Sequence, residues 1–213
     1  PVQGEGGVRA IPDVCLRGLR ELCDEHGLLL IYDEVQCGAG RTGKIWAHEW
    51  AETAKPDIMA VAKGVGGGFP MGACLTTDAA GAHMVVGTHG STYGGNPLAM
   101  AVGNVVYDEL SKPGFMEHVV SISNTLRQSL SGVVDAHSDK VEELRGRGLL
   151  VGLKLKDGFG NRTLVGKARD HHLLMGAAGD NVARMAPPLI INEDHVREAV
   201  SALDKALGEL QPE

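Results

Sequence analysis

Residues 28–34 read Leu-Leu-Leu-Ile-Tyr-Asp-Glu, and they give the clearest indication of the fold class. Five consecutive apolar residues are typical of a strand that is buried on both faces, as in a parallel sheet. A second apolar run, from Ile58 to Ala62, ends at Lys63. Because a helical pattern at 13–26 precedes the first run, helices and strands alternate along the chain. This alternation predicts an α/β fold, with helices that cross over between parallel strands.

Capping signals and apolar spacing predict the remaining elements. Asp13 is expected to cap the first helix, which Gly27 ends. Further helices are predicted at 97–110, 117–130, 162–174 and from 192 onward, and further strands at 148–155 and 182–185. The Pro-Gly break at 113–114 predicts a domain boundary, so we expect one domain over 1–110 and a second over 111–213.

Composition argues against several classes of protein. Lysine and arginine number 20 against 27 acidic residues, a formal net charge of −7, which disfavours a nucleic-acid or anionic-membrane surface. No apolar run approaches the roughly 18 residues of a membrane span. The four cysteines form no CxxC pair, which favours reduced thiols in a cytoplasmic protein and no metal site. The chain begins at Pro1 without a signal segment, so we expect a fragment of a longer protein.

Asp33 and Lys63 are the first candidates for chemistry. Each stands at the end of a predicted strand, and ligands of open α/β sheets bind at the carboxyl ends of the strands. An acid and an amine at neighbouring strand ends would face one pocket. The pattern is equally compatible with an ion pair at the rim of the sheet.

The segment 38–44 reads Gly-Ala-Gly-Arg-Thr-Gly-Lys and resembles the phosphate-binding loop of ATPases. It departs from that motif because Ile45 stands where a hydroxyl must reach magnesium. In addition, it follows the acidic strand and opens no clear helix. A nucleotide-binding module is therefore an alternative to be tested rather than the main reading. The histidines His48, His83 and His89 lack the spacing of metal ligands and are predicted to be surface or loop residues.

Arg184 lies among apolar residues on a predicted strand, just before the rigid pair Pro187-Pro188. An arginine held in this way is suited to bind a carboxylate with its planar fork. The alternative is a salt bridge to an acid of the protein itself, for which Glu5 is a candidate partner. The loop 88–96, rich in hydroxyls and glycines and followed by a helix, is a candidate anion site.

Six segments of the chain form one ordered pattern. They are Pro1–Gly7, Leu30–Gln36, Gly38–Gly43, Ala62–Gly64, His89–Pro97, and Ala178–Arg184 with Pro187-Pro188. In this order they closely resemble the class III aminotransferases, which use pyridoxal 5'-phosphate (PLP). The resemblance implies a fold-type I PLP-dependent transferase. In that case 1–110 would be the carboxyl-terminal part of the large PLP-binding domain, with a mostly parallel sheet, and 111–213 the α+β small domain.

The resemblance also implies roles for residues at the cofactor. Lys63 would form a Schiff base with PLP and, once freed by the substrate amine, would carry a proton between substrate and cofactor. Asp33 would pair with the protonated pyridine nitrogen and keep the ring able to accept electrons. Val35 would pack on one face of the ring, and Gln36 would lie near its phenolic oxygen.

Other implied roles concern the substrate and the dimer. Ser91 and Thr92 would hold the cofactor phosphate of the partner subunit, so the implied assembly is a homodimer with shared sites. Arg184 would bind the substrate α-carboxylate. Glu5 would pair with that arginine and help the site to accept two different substrates in turn.

The implied reaction is a ping-pong transamination in the cytoplasm. The segment Ala178–Arg184 favours the branch that moves an amino group from N-acetylornithine to 2-oxoglutarate in arginine biosynthesis. Two alternatives stay open: a branch acting on succinyl-diaminopimelate, ornithine or 4-aminobutyrate, and a non-catalytic half that acts only as an assembly partner. Members of the family are roughly twice this length, so we expect the amino-terminal half to be missing and this chain alone to be inactive and poorly stable.

Overall fold

The computed structural model describes residues 1–212, whose strands and helices mix in sequence as an α/β protein should. The strands are β1 (Val2–Gln3), β2 (Arg9–Ala10), β3 (Ile31–Asp33), β4 (Ile58–Ala62), β5 (Gly72–Thr76), β6 (Val141–Arg147), β7 (Leu150–Leu155), β8 (Gly176–Ala178) and β9 (Val182–Met185). The helices are α1 (Asp13–His26), α2 (Asp78–Gly81), α3 (Pro97–Leu110), α4 (Phe115–Ala136), α5 (Asn161–Asp170) and α6 (Glu193–Gly208), with 3-10 turns at Ala47–Ala51 and Lys63–Gly66. None of the described helices is both long and apolar enough to cross a bilayer.

The chain divides into two compact units. The first comprises Pro1 and Ile11–Met116, and the second comprises Val2–Ala10 with the chain from Glu117 onward. Sequence reasoning grouped residues 2–10 with the first domain, whereas in the structure they contact the second unit. That the units correspond to the large and small domains of the implied fold stays a prediction.

The first unit is built on a three-stranded sheet in the order β3-β4-β5. Strands β3 and β4 are parallel, as predicted, and β5 runs antiparallel to β4. Helix α1 ends at Gly27, whose φ of 65° is left-handed as expected for a terminating glycine. The predicted cap is wrong, because Pro12 occupies the N-cap position and Asp13 is the first helical residue.

Strand β3 is buried on one face rather than on both. Leu30 and Tyr32 are 7% and 5% exposed and pack with Leu16 of α1, while Leu29 and Ile31 are 58% and 60% exposed. Within the described chain, β3 pairs only with β4 and so forms an edge of its sheet. From Leu29 to Tyr32 the apolar run thus alternates, and every second side chain is exposed.

The second unit holds a four-stranded antiparallel sheet in the order β6-β7-β9-β8. Leucines of the strands and helices form its core, among them Leu126, Leu130, Leu150, Leu153, Leu203 and Leu207. Helix α6 begins where predicted, since the Asn192 side chain accepts a hydrogen bond from the His195 N–H at 3.1 Å. Strand β6 was not predicted, because its sequence Val-Glu-Glu-Leu-Arg-Gly-Arg is too rich in charge.

The segment 2–10 belongs to the second unit because Val8 fits into a gap in its sheet. Val8 is fully buried, with a φ of 53°. A Cβ placed on Gly146 or Gly152 would lie only 2.9 Å from a Val8 side-chain carbon. Glycine at both positions therefore makes room for Val8, which anchors the segment to strands β6 and β7.

Candidate active site

Asp33 and Lys63 lie at the carboxyl ends of two adjacent parallel strands in the first unit's sheet. Asp33 is the last residue of β3, Lys63 directly follows the neighbouring parallel strand β4, and Asp33 is in register with Ala60. Both side chains are exposed, and within the described chain they form no ion pair with each other. The rim ion pair that the sequence left open is thus not formed. An acid and an amine thus follow the carboxyl ends of two adjacent parallel strands, where open α/β sheets bind ligands.

A local hydrogen bond orients the Asp33 carboxylate. Its Oδ1 accepts the backbone N–H of Val35 at 2.9 Å, a turn in which an aspartate bonds the backbone two residues onward. The next two residues, Val35 and Gln36, are half-buried. Asp33 is therefore a fixed, exposed anion that can accept a hydrogen bond from a cationic nitrogen.

Lys63 adopts an uncommon backbone conformation. Its φ of 49° lies in the left-handed region, which costs a non-glycine residue about 1–3 kcal/mol and is found preferentially at functional sites. The following residue, Gly64, is tightly packed, since a Cβ there would lie 2.9 Å from the Cβ of Ala39. The loop that follows Asp33 therefore rests on the backbone beside Lys63 and links the two candidates.

Glu34 and His48 form a buried pair that sequence reasoning missed. Glu34 is 1% exposed, and its Oε2 accepts the backbone N–H of Ala47 at 2.5 Å. Its Oε1 lies 2.9 Å from the backbone nitrogen of His48 and 2.7 Å from the ring Nδ1. We call this arrangement the Glu34–His48 clasp, because it closes the loop 35–46 between its two ends. The surface prediction for His48 is wrong, whereas His83 and His89 are exposed as expected.

Ser91 and Thr92 lie in the loop 82–95, all of which is exposed. The Ser91 Oγ accepts the backbone N–H of Gly94 at 3.0 Å. Helix α3 follows this loop, and the Asn96 side chain caps it by accepting the Ala99 N–H at 2.9 Å. The hydroxyls are therefore presented to the outside just before a helix N-terminus, where an anion would be favoured.

Arg184 and Glu5 meet in the second unit. The Arg184 Nη1 lies 2.7 Å from Glu5 Oε1, which confirms the predicted partner. Arg184 stands on β9 opposite Gly152 of β7 and Gly176 of β8, so no side chain at either cross-strand position crowds its guanidinium. The Glu5 side chain is 68% exposed and that of Arg184 is 20% exposed. Such a pair can open and offer its guanidinium to the carboxylate of a ligand.

The first unit also contains an apolar cavity of about 240 Å³, lined mainly by β4, β5 and α3 through Val61, Val65, Met71, Leu75, Met100 and Tyr107, among others. None of the predicted site residues lines it. The ammonium of Lys44 lies 5.2 Å from the centre of the Trp50 ring and makes a cation–π contact with it. In the part of the chain that the structure describes, no cluster of His, Cys, Asp and Glu could hold a metal ion, and none of the four cysteines forms a disulfide.

Comparison with known proteins gives consistent results. The sequence profile described as "Aminotransferase class-III" matches residues 1–207. The acetylornithine aminotransferase of Mesorhizobium japonicum is 55% identical over 203 residues, which cover 95% of this chain and 50% of that protein. The mitochondrial acetylornithine aminotransferase of Debaryomyces hansenii is 44% identical over 211 residues, 99% of this chain and 45% of that protein. The chain thus spans about half the length of the curated relatives it matches.

Solved structures resemble the chain over nearly its whole length. N-acetylornithine aminotransferase from Stenotrophomonas maltophilia superposes with a TM-score of 0.85 at 36% identity, covering 98% of this chain and 54% of that protein. The ornithine aminotransferase of Plasmodium yoelii gives a TM-score of 0.91 at 30% identity, covering 98% of this chain and 56% of that protein.

Proposed function

This chain belongs to the class III aminotransferase family, and from that premise we propose that it serves an enzyme that moves an amino group from N-acetylornithine to 2-oxoglutarate. The observation that carries the proposal is the placement of Lys63 and Asp33 at the ends of adjacent parallel strands. Bacterial relatives named acetylornithine aminotransferase are 51–55% identical over nearly the whole chain. This similarity supports N-acetylornithine as the amino donor.

The residues present fit PLP, the cofactor of this family. An exposed primary amine, Lys63, suits an aldehyde, and the oriented carboxylate of Asp33 suits a protonated ring nitrogen. The half-buried Val35 offers an apolar surface beside that carboxylate, and Gln36 offers an amide for a ring oxygen. When bound, PLP supplies an electron-accepting ring that stabilises the negative charge left on the substrate carbon as its proton departs.

Each residue then has a defined task. Asp33 would keep a proton on the ring nitrogen by accepting a hydrogen bond from it. Lys63 would hold the cofactor through its amine, and that amine, once freed, would carry a proton from the substrate α-carbon to a carbon of the cofactor. Arg184 binds the substrate α-carboxylate with its fork, and Glu5 neutralises the guanidinium when no carboxylate is there.

The proposal extends to assembly and location. The exposed hydroxyls of Ser91 and Thr92 would bind the cofactor phosphate of a second subunit in a homodimer. The exposed loop 82–95 and the helix N-terminus behind it support this role. None of the four cysteines forms a disulfide in the described chain, although Cys15 and Cys74 are exposed, which supports a reducing cytoplasmic location.

Transaminase activity is tested in two preparations, because the chain spans half the length of its relatives. One is the 213-residue chain, and the other is the same chain fused behind the complementary amino-terminal part of the Mesorhizobium japonicum relative. Each is assayed with 2-oxoglutarate and one of four donors: N-acetylornithine, ornithine, succinyl-diaminopimelate or 4-aminobutyrate. We expect the fusion protein to prefer N-acetylornithine.

Lys63→Ala should abolish amino transfer by the fusion protein, whereas Lys55→Ala, which removes another exposed lysine of the first unit, should leave it intact. Preference for a different donor would contradict the proposed substrate. Activity that survives Lys63→Ala would contradict the proposed mechanism. Activity in the 213-residue chain alone would overturn the expectation that it is inactive by itself, and a fusion protein inactive on every donor would favour a non-catalytic assembly role.

A further inference from the structure

Asp180 gathers three cations around one carboxylate. Its Oδ2 accepts hydrogen bonds from Arg9 and from Arg145, the latter at 2.6 Å, and its Oδ1 lies 3.3 Å from the Lys154 ammonium. The bond from Arg145 is the main cause that lowers the pKa of Asp180 from its usual value near 3.8 to about 2. Asp180 is therefore ionised at every pH at which the protein would work.

The partners of Asp180 hold the segment that carries Glu5. Arg9 belongs to that segment, and Arg145 also donates to the carbonyl of Gly7 at 3.4 Å. The residue just before Asp180, Gly179, donates its N–H to the carbonyl of Glu5 at 2.7 Å. Three hydrogen bonds thus hold the segment, at residues 5, 7 and 9. Two of them involve the turn at 179–180, and the third comes from Arg145.

We infer that Asp180 is a positioning residue, which holds Glu5 beside Arg184 and so controls how readily Arg184 is released to a substrate carboxylate. The Glu5 carbonyl accepts the Gly179 N–H at 2.7 Å, so the backbone that carries the Glu5 side chain is held by the turn that contains Asp180. The second part of this inference rests on the function proposed above. The first part, the positioning of Glu5, stands on the contacts alone.

An Asp180→Asn variant separates positioning from folding. Asp180 has a φ of 55°, and asparagine tolerates this left-handed conformation as well as aspartate does. The buried Val8 still anchors the segment to the sheet. The substitution therefore removes the charge that attracts Arg9 and Arg145 while leaving the apolar packing in place.

The test is hydrogen–deuterium exchange of the 213-residue chain, followed by mass spectrometry of peptides that cover residues 1–12. Asp180→Asn should increase the exchange rate of amides in 4–9 by about tenfold, because charge-assisted bonds that hold the segment are lost. Glu143→Gln is the matched control, since Glu143 binds the same Arg145 at 2.6 Å and none of its described side-chain hydrogen bonds involves the segment. Peptides from β7 report whether the whole unit has opened.

The inference is supported if exchange rises in 4–9 for Asp180→Asn but stays at the wild-type rate in β7 and in the Glu143→Gln control. It is overturned if 4–9 exchanges at the wild-type rate in Asp180→Asn. Equal acceleration in β7 means that Asp180 stabilises the unit as a whole, which also overturns a positioning role. Asp180→Glu, which keeps the charge, should recover part of the protection.

The effect on substrate choice is measured in the fusion protein. Asp180→Asn and Glu5→Gln should change the ratio of kcat/KM for N-acetylornithine to that for 2-oxoglutarate in the same direction. The double variant should change it no further, because both substitutions act on one contact. Additive changes would overturn the substrate part of the inference. A wild-type fusion protein without activity would count against the proposed function, while the exchange experiment still decides the positioning role.

Discussion

Among single residues, Lys63 has a backbone conformation that its neighbours impose, since lysine does not favour it. Lys63 and Ala39 both have a positive φ, 49° and 51°, although neither is glycine. The absent side chain of Gly64 lets the two backbones approach, since a Cβ would meet Ala39 at 2.9 Å. Two residues with positive φ in one contact indicate that the surrounding packing fixes the backbone of Lys63.

Residue-level prediction succeeded where one motif carried the information. Arg184 and Glu5 were each picked out by their local sequence, and the structure pairs them. His48 was missed because its partner Glu34 lies 14 positions away, and no local pattern shows that a loop will close. The functional roles of Asp33, Lys63, Ser91 and the other site residues stay predictions, since position alone does not establish a role.

Asp57 should make the first unit sensitive to acid. Hydrogen bonds from Arg20 at 2.8 Å and from the Leu30 N–H at 2.7 Å lower the pKa of its carboxyl below the usual 3.8. As the pH falls, the Asp57 carboxyl therefore binds a proton in the unfolded chain before it does so in the folded chain. The stability that Asp57 contributes is present above about pH 4 and is lost as the pH is lowered further. We expect Asp57→Asn to lower the melting temperature at pH 7 and to flatten its decline from pH 5 to pH 3.

Asp24→Asn is the control for this prediction, because Asp24 also pairs with Arg20, at 2.7 Å, but is 68% exposed. The melting temperature of Asp24→Asn should depend on pH in the same way as that of the wild type. An Asp57→Asn profile as steep as that of the wild type would refute the assignment.

Among the elements, those with strong local signals were predicted best. Strand β4, helix α3 and strand β9 lie where apolar runs and capping residues placed them. Strand β6 was not predicted, because its charged residues are typical of a surface loop. It is a strand because it pairs with β7. The two-sided burial of β3 was wrong because burial depends on which layers cover a strand, and the sequence of that strand does not contain this information.

The Glu34–His48 clasp should be a major source of stability for the loop 35–46. A glutamine at position 34 would direct an NH₂ group at one of the N–H donors, in a site where Glu34 is 1% exposed. Leaving buried donors without an acceptor costs about 1–3 kcal/mol, and more when a charge is involved. We expect Glu34→Gln to lower the free energy of unfolding by about 2–4 kcal/mol.

Urea unfolding followed by tryptophan fluorescence measures this loss locally, because the two tryptophans of the chain, Trp46 and Trp50, lie next to the clasp. Glu49→Gln is the matched control, since Glu49 is exposed and its side chain accepts only the Trp46 N–H among the described hydrogen bonds. It should cost less than about 1 kcal/mol. An equal loss of unfolding free energy in Glu34→Gln and Glu49→Gln would show that the clasp stabilises the loop no more than an exposed hydrogen bond does.

For the whole molecule, the exposed face and edge of β3 make the isolated chain prone to self-association. Apolar side chains that are 58–60% exposed occupy positions 28, 29 and 31 beside a strand edge without a partner in the described residues. Open apolar edges of this kind promote aggregation. We expect light scattering of the purified chain to rise with concentration and Ile31→Lys to reduce that rise.

The control is Val14→Lys, which places the same charge on a 65% exposed residue of helix α1. It should change the scattering much less, because a helix surface offers no free backbone groups for pairing. Equal effects of the two substitutions would mean that net charge, rather than the edge of β3, governs association.

The central claim is that Lys63, at the end of β4, is the residue that bonds the cofactor. It is tested most directly by mixing the fusion protein with PLP, reducing with borohydride and locating the pyridoxyl group by peptide mass spectrometry. We expect one labelled peptide, which contains Lys63, and no such label in Lys63→Ala. Labelling that persists in Lys63→Ala, or that falls mainly on another lysine of an active preparation, would contradict it.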